Sequence, residues 1–176
     1  MLRSFAVHTQ TWLRTLGIGH MRQLSTSPPV SIKDLLARDT KSHPLSDTVR
    51  ASGWVRTVRG QKKIAFLTLN DGTTFHGLQC VFDNPSLVQN LATGASVEVT
   101  GKLVEHPAGA KAPPGQRYEL HGTQVHVHGM SDGAAYPLQK KYHSPEYARQ
   151  MLHLRPRTAA FASTLRVRNA ATMGFH

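Results

Sequence analysis

The chain has 176 residues, room for one domain of about 100–150 residues with appendages. No apolar run approaches the roughly 20 residues of a membrane-spanning helix, so no helical membrane span is expected. The single cysteine, Cys80, excludes an internal disulfide and a cysteine-based metal cage, and the net charge of +11 points to an anionic partner.

That charge is unevenly spread. Residues 1–33 carry four Lys/Arg and no acid, and residues 34–39 carry one base and two acids. Residues 40–137 carry nine bases against seven acids, whereas residues 138–176 carry seven against one. The basic character therefore sits in the leader and the C-terminal segment, and bulk electrostatics says little about the middle.

Residues 1–30 hold Arg3, Arg14 and Arg22, many hydroxyl side chains and no acid. Leu2, Phe5, Trp12, Leu13 and Leu16 could share one side of a short helix. This is the composition of a mitochondrial transit peptide, with a processing point expected near Leu24 and the mitochondrial matrix as destination. A disordered basic arm is the alternative, and no unbroken apolar core supports a secretory signal.

From residue 40 to 130 the pattern is that of strands. Val49 to Arg56 mixes β-branched, aromatic and small residues, and Gly53 within it predicts a bend where the sheet coils. Ile64 to Leu69 is the second predicted strand, with Phe66 and Thr68 on one face and Leu67 and Leu69 on the other. Asn70-Asp71-Gly72 signals a tight turn into a third strand, Thr74 to Phe82. A short helix over Pro85–Leu91, a fourth strand from Ala95 to Val104, a Pro/Gly/Ala loop from His106 to Gly115 and a fifth strand from Gln116 to Val127 follow. Three strands, a short helix and two more strands is the order of an all-β, five-stranded OB-fold barrel. Such barrels bind single-stranded nucleic acid through aromatic stacking and polar base contacts. At this level an SH3-like or sandwich domain stays open.

Beyond the barrel, residues 131–145 form a hinge. Ser144-Pro145-Glu146 is a helix start with Ser as N-cap and Pro at the first position. Arg155-Pro156 interrupts the chain, and Thr158 is placed to cap a second helix from Ala159 toward Met173. On that helix Phe161 and Leu165 can share a buried face.

Other features carry less. His126 and His128 fall on one face of the last strand with His121 nearby, but no carboxylate or cysteine at ligand spacing accompanies them, so no metal site is expected. Cys80 reads as a small buried packing residue. Gly109 to Gly115 lacks the Lys-Ser/Thr and the strand–helix setting of a phosphate loop.

Gly53-Trp54-Val55-Arg56-Thr57-Val58-Arg59, then Phe66-Leu67, Asn70-Asp71-Gly72 and Leu78-Gln79 resemble the anticodon-binding barrel of the aspartyl, asparaginyl and lysyl class II aminoacyl-tRNA synthetases. In that family an aromatic ring stacks on the middle anticodon uridine while an Arg and a Gln hydrogen-bond its edge. The matching positions are Phe66, Arg59 and Gln79. The run from Tyr136-Pro137-Leu138-Gln139-Lys140-Lys141-Tyr142-His143-Ser144 through Leu152-His153-Leu154-Arg155-Pro156-Arg157-Thr158 is similar to the asparaginyl branch specifically, as is the longer turn holding Gly72-Thr73-Thr74-Phe75.

The resemblance spans about residues 47–170 and implies the N-terminal part of an asparaginyl-tRNA synthetase, which the leader would make a mitochondrial one. Its partner would be the anticodon loop of an asparagine tRNA, with Lys140, Lys141, Arg155 and Arg157 as candidate backbone contacts and Arg149, Arg166 and Arg168 as further cations. Residues 146–176 would open the catalytic domain with the motif 1 helix of a homodimer. The motif 2 and motif 3 arginines that hold Mg²⁺-ATP have no counterpart here. No catalysis, cofactor or metal is therefore expected of these residues alone, and the last segment is expected to be poorly ordered or aggregation-prone in isolation. A stand-alone mitochondrial single-strand-binding OB protein is the alternative reading.

Overall fold

A computed structural model describes residues 29–38, 48–106, 116–139 and 141–176. The leader before residue 29, most of the loop after His106, and Lys140 lie outside the described residues.

Five strands make a closed barrel: β1 (Thr48–Gly60), β2 (Ala65–Asn70), β3 (Leu78–Phe82), β4 (Ser96–Glu105) and β5 (Tyr118–Gly129). Their order around the barrel is β1-β2-β3-β5-β4. All pairs are antiparallel except β3 with β5, whose parallel pairing closes the cylinder. β1 is long because it serves two neighbours. Its first half pairs with β4 from Thr48 to Trp54, and its second half pairs with β2 from Trp54 to Gly60.

The expected OB barrel is present, and the inside–outside alternation explains why the sequence forms it. Leu67 and Leu69 of β2, Leu78, Cys80 and Phe82 of β3, and Val97 and Val99 of β4 are fully buried. Side chains alternate across a strand, so Phe66, Thr68, Gln79 and Val81 are left on the outer surface. Burial pushes the Cys80 thiol far above the ordinary thiol range, as suits a packing residue.

A short helix α1 (Ile32–Leu36) plugs one end of the barrel, with Ile32 and Leu35 fully buried. Its first free amides are bound from outside the helix. Ile32 N–H donates to Asp71 Oδ2 at 2.8 Å and Lys33 N–H to Thr73 Oγ1 at 3.1 Å.

Several strand ends differ from the expected ones. Asn70-Asp71-Gly72 does not make a two-residue hairpin, because the connection runs from Asp71 to Gly77 before β3 begins at Leu78. The Asn70 side chain bridges this loop, accepting from Gly72 N–H at 2.8 Å and donating to Thr74 O at 3.1 Å. Gly72 and Gly77 take positive φ of 89° and 83°. The helix expected after β3 is a single 3₁₀ turn, Pro85–Leu87, capped by the Asn84 side chain. Gly53 adjoins Trp54, where β1 passes from β4 to β2. A β-bulge lies between Val55 and Thr57, while Gly53 is needed because a Cβ there would meet Asn70 O at 2.9 Å.

After the barrel come α2 (Pro145–Gln150), a 3₁₀ turn at Arg155–Arg157 and α3 (Ala159–Phe175). Ser144 caps α2 as expected, its side chain accepting from Tyr147 N–H. Thr158 does not cap α3, since its hydroxyl donates back to Arg155 O at 2.8 Å. Phe161 and Leu165 fall on one side of α3, but with no partner domain against them that side is not buried. No residue of α3 is buried, and Leu165 is 43 % exposed.

At a second bulge, between Thr100 and Gly101, β4 meets β5 so closely that a Cβ on Gly101 would lie 2.1 Å from His121 O. Backbone on both sides cannot yield cheaply, so Gly101→Ala should cost about 1–3 kcal/mol in urea denaturation. Gly129→Ala, where a Cβ meets nothing within 4 Å, should change stability by less than about 0.5 kcal/mol.

Candidate nucleic-acid interface

Before the bulge, Ala51, Gly53 and Val55 face inward. Unbroken alternation would send Thr57 and Arg59 inward as well. The extra residue, Arg56, reverses the phase, so Val58 packs against the core and Thr57 and Arg59 emerge outside.

Two cross-strand rows result on the outer face. In one, Arg59 stands opposite Phe66 and Phe66 opposite Val81, with Val81 beside His121 of β5. In the other, Thr57 stands opposite Thr68 and Thr68 opposite Gln79. Directly opposed side chains have Cβ atoms about 4.5–5.5 Å apart, and diagonal ones about 7–8 Å. Arg59, Phe66 and Gln79 thus lie on one face, Arg59 directly opposite Phe66 and Gln79 on the diagonal from it. Phe66 is half-buried and Arg59 exposed, so the ring is backed by its neighbours and open on top. Thr57 and Thr68 hold the second row together by a 3.0 Å hydroxyl–hydroxyl hydrogen bond.

The Gln79 amide is held from β5. Its Nε2 donates to Glu119 Oε2 at 3.2 Å, and Glu119 Oε1 lies 3.0 Å from His121 Nε2. Glu119 had no local signal as a partner of Gln79, because the parallel β3–β5 pairing brings together residues forty positions apart.

A second cluster joins the barrel to the following segment. The Arg157 guanidinium sits 4.0 Å from the Trp54 ring centroid, and Arg56 Nη1 donates to the carbonyl of Arg157. Burial, and then the neighbouring charge of Arg157, lower the Arg56 pKa from its ordinary value. Around them lies a cleft of about 410 Å³ lined by Trp54, Arg56, Tyr136, Leu138 and Phe161. Farther along α3, Arg166 donates to the carbonyls of Gly72 and Thr73 in the β2–β3 loop.

Of the candidate backbone contacts, Lys141 is exposed, whereas Arg155 lies 5.7 Å from the Phe161 ring centroid and Arg157 covers Trp54. Lys140 lies outside the described residues. His126 and His128 pack edge to face at 4.6 Å. Among the described residues no group of three His, Cys, Asp or Glu is placed to hold a metal ion.

Comparison with known proteins bears on this geometry. Residues 49–127 match a family model described as an OB-fold nucleic acid binding domain. The chain is 40 % identical over 151 residues to the asparagine–tRNA ligase of Cytophaga hutchinsonii, covering 84 % of this chain and 31 % of that protein. It is 46 % identical over 137 residues to the asparagine–tRNA ligase of Geobacter metallireducens, covering 75 % and 28 %. Among solved structures, the asparaginyl-tRNA synthetase of Pyrococcus horikoshii superposes with a TM-score of 0.63 at 23 % identity, covering 82 % of this chain and 33 % of that one. Its complex with asparaginyl-adenylate gives 0.58 at 26 %, covering 72 % and 29 %. The chain spans about three-tenths of the length of the curated relatives it matches.

A partly exposed cation–π contact contributes about 0.5–1 kcal/mol. Arg157→Ala should therefore leave the barrel's urea midpoint almost unchanged and speed amide exchange across residues 141–158 by about two- to fivefold. Unchanged exchange would mean that the Trp54 stack does not hold this segment.

Proposed function

We propose, for a chain that belongs to the asparaginyl-tRNA synthetase family through its anticodon-binding OB domain region, that the outer face of β1, β2 and β3 binds the anticodon loop of an asparagine tRNA. The observation that carries the reading is the grouping of Arg59, Phe66 and Gln79 on that face by strand register.

The chemistry is that of reading one flipped-out base. Phe66 offers a flat apolar surface, and stacking on it contributes about 1–3 kcal/mol. Uracil presents an N–H between two carbonyl oxygens. The Gln79 amide can accept from that N–H and donate to one oxygen, while Arg59 donates to the other. Because these groups sit on paired strands, little ordering remains to be done when RNA arrives.

Phosphate contacts would add affinity without sequence information. Lys141 is the exposed candidate, with Lys140 beside it in sequence, and Arg155 and Arg157 could join only by leaving their aromatic partners. For the full-length protein the family resemblance implies ATP-dependent attachment of asparagine to its tRNA by a homodimer. We assign ATP and Mg²⁺ to parts of the full-length relatives that this chain does not match, no catalysis to the region described, and to residues 146–176 only the opening helix of the dimer contact. The acid-free leader, residues 1–30, would direct the protein to the mitochondrial matrix. No membrane association is proposed.

Binding should be measured with an asparagine tRNA anticodon stem-loop at near-physiological salt, so that phosphate attraction does not mask base reading. Changing the middle uridine to cytidine should weaken binding about tenfold or more, and Phe66→Ala should abolish the difference. Equal binding of both loops would leave a sequence-blind single-strand binder.

A further inference from the structure

We infer that Glu119 is a positioning residue that fixes which way round the Gln79 amide is held, and so determines which pyrimidine the outer face accepts. This rests on the reading of that face as an anticodon site.

A carboxylate can only accept hydrogen bonds, so it can hold the Nε2 arm of the amide but not the Oε1 arm. The 3.2 Å contact from Gln79 Nε2 to Glu119 Oε2 therefore commits the oxygen to the other side of the fork. A charged acceptor makes this bond roughly twice as strong as a neutral one. Glu119 is itself fixed, because His121 engages its other oxygen at 3.0 Å. Its side chain is only 7 % exposed, against 43 % for His121, so it works through Gln79 rather than by meeting the base.

The orientation matters because uracil and cytosine differ by an exchange of donor and acceptor. Uracil has N3–H and O4, whereas cytosine has a bare N3 and an N4 amine. With Phe66 and Arg59 holding the ring in place, an amide oxygen facing N3 accepts from uracil and repels the lone pair of cytosine. A half-turn of the amide reverses both relations. The carboxylate blocks that half-turn, since it would set Oε1 against Oε2.

Glu119→Gln keeps the length of the side chain but can donate as well as accept, so either amide orientation becomes satisfied. In the full chain this variant should bind the uridine loop about two- to threefold more weakly and the cytidine loop more tightly, bringing the two within about threefold. Glu119→Met, which holds neither orientation, should likewise collapse the ratio. A variant that weakens both loops equally, or keeps the parent's preference, overturns the assignment, because either result makes Glu119 merely structural. If the parent chain itself shows no preference for uridine, the anticodon reading fails first and this inference with it.

Discussion

The bulge at Arg56 reverses the phase of β1 halfway along its length, and the outer face takes its composition from that reversal. One strand must supply inward side chains to two different neighbours, β4 and then β2, while the barrel curls. The extra residue lets Val55 and Val58 both face the core. Its consequence outside is that Arg59 stands beside Phe66 rather than buried against Leu67. A buried arginine without a partner would be untenable, so folding and exposure of the site impose the same requirement.

The remaining members of the face are fixed by tertiary contacts of different kinds. Phe66 and Gln79 are set by simple alternation on β2 and β3, whose inward residues are fully buried. Orientation within the face comes from Thr57–Thr68 and from the Gln79–Glu119–His121 chain, both of which join separate strands. The β2–β3 loop, which borders this surface, is tied down three ways. Asn70 bridges it from within, Asp71 and Thr73 hold the amides of α1, and Arg166 of α3 reaches two of its carbonyls. Binding groups on paired strands with tethered borders are better preorganised than groups on free loops.

How much of this was legible depended on whether a feature was local. The alternation of Phe66 and Thr68 with Leu67 and Leu69, and the order of three strands, a short helix and two strands, announced the barrel, and Ser144-Pro145 announced α2. Phe66, Arg59 and Gln79 were identified by family resemblance, and the strand register then brought them to one face. The bulge after Val55 had no residue signature, and the close approach of Gly53 to Asn70 joins positions too far apart to be read together. Thr158 preceded a helix yet turned its hydroxyl backward, since a preceding 3₁₀ turn offered the Arg155 carbonyl. Phe161 and Leu165 had helical spacing without a surface to bury against. Glu119 and the Arg157–Trp54 stack join distant positions, so no window of sequence could contain them.

On the proposed reading the β1–β2–β3 face reads the base and the basic C-terminal segment plays at most a supporting role. Nuclear magnetic resonance titration of the chain with an asparagine tRNA anticodon stem-loop, at near-physiological salt, compares the two surfaces directly. The largest shifts should fall on the Phe66 ring, the Gln79 side-chain amide and the Arg59 guanidinium, with little change along α3. Shifts confined to Lys141 and the arginines from 149 to 168, with the Phe66 ring unmoved, would contradict the account and leave only a cationic segment attracted to phosphate.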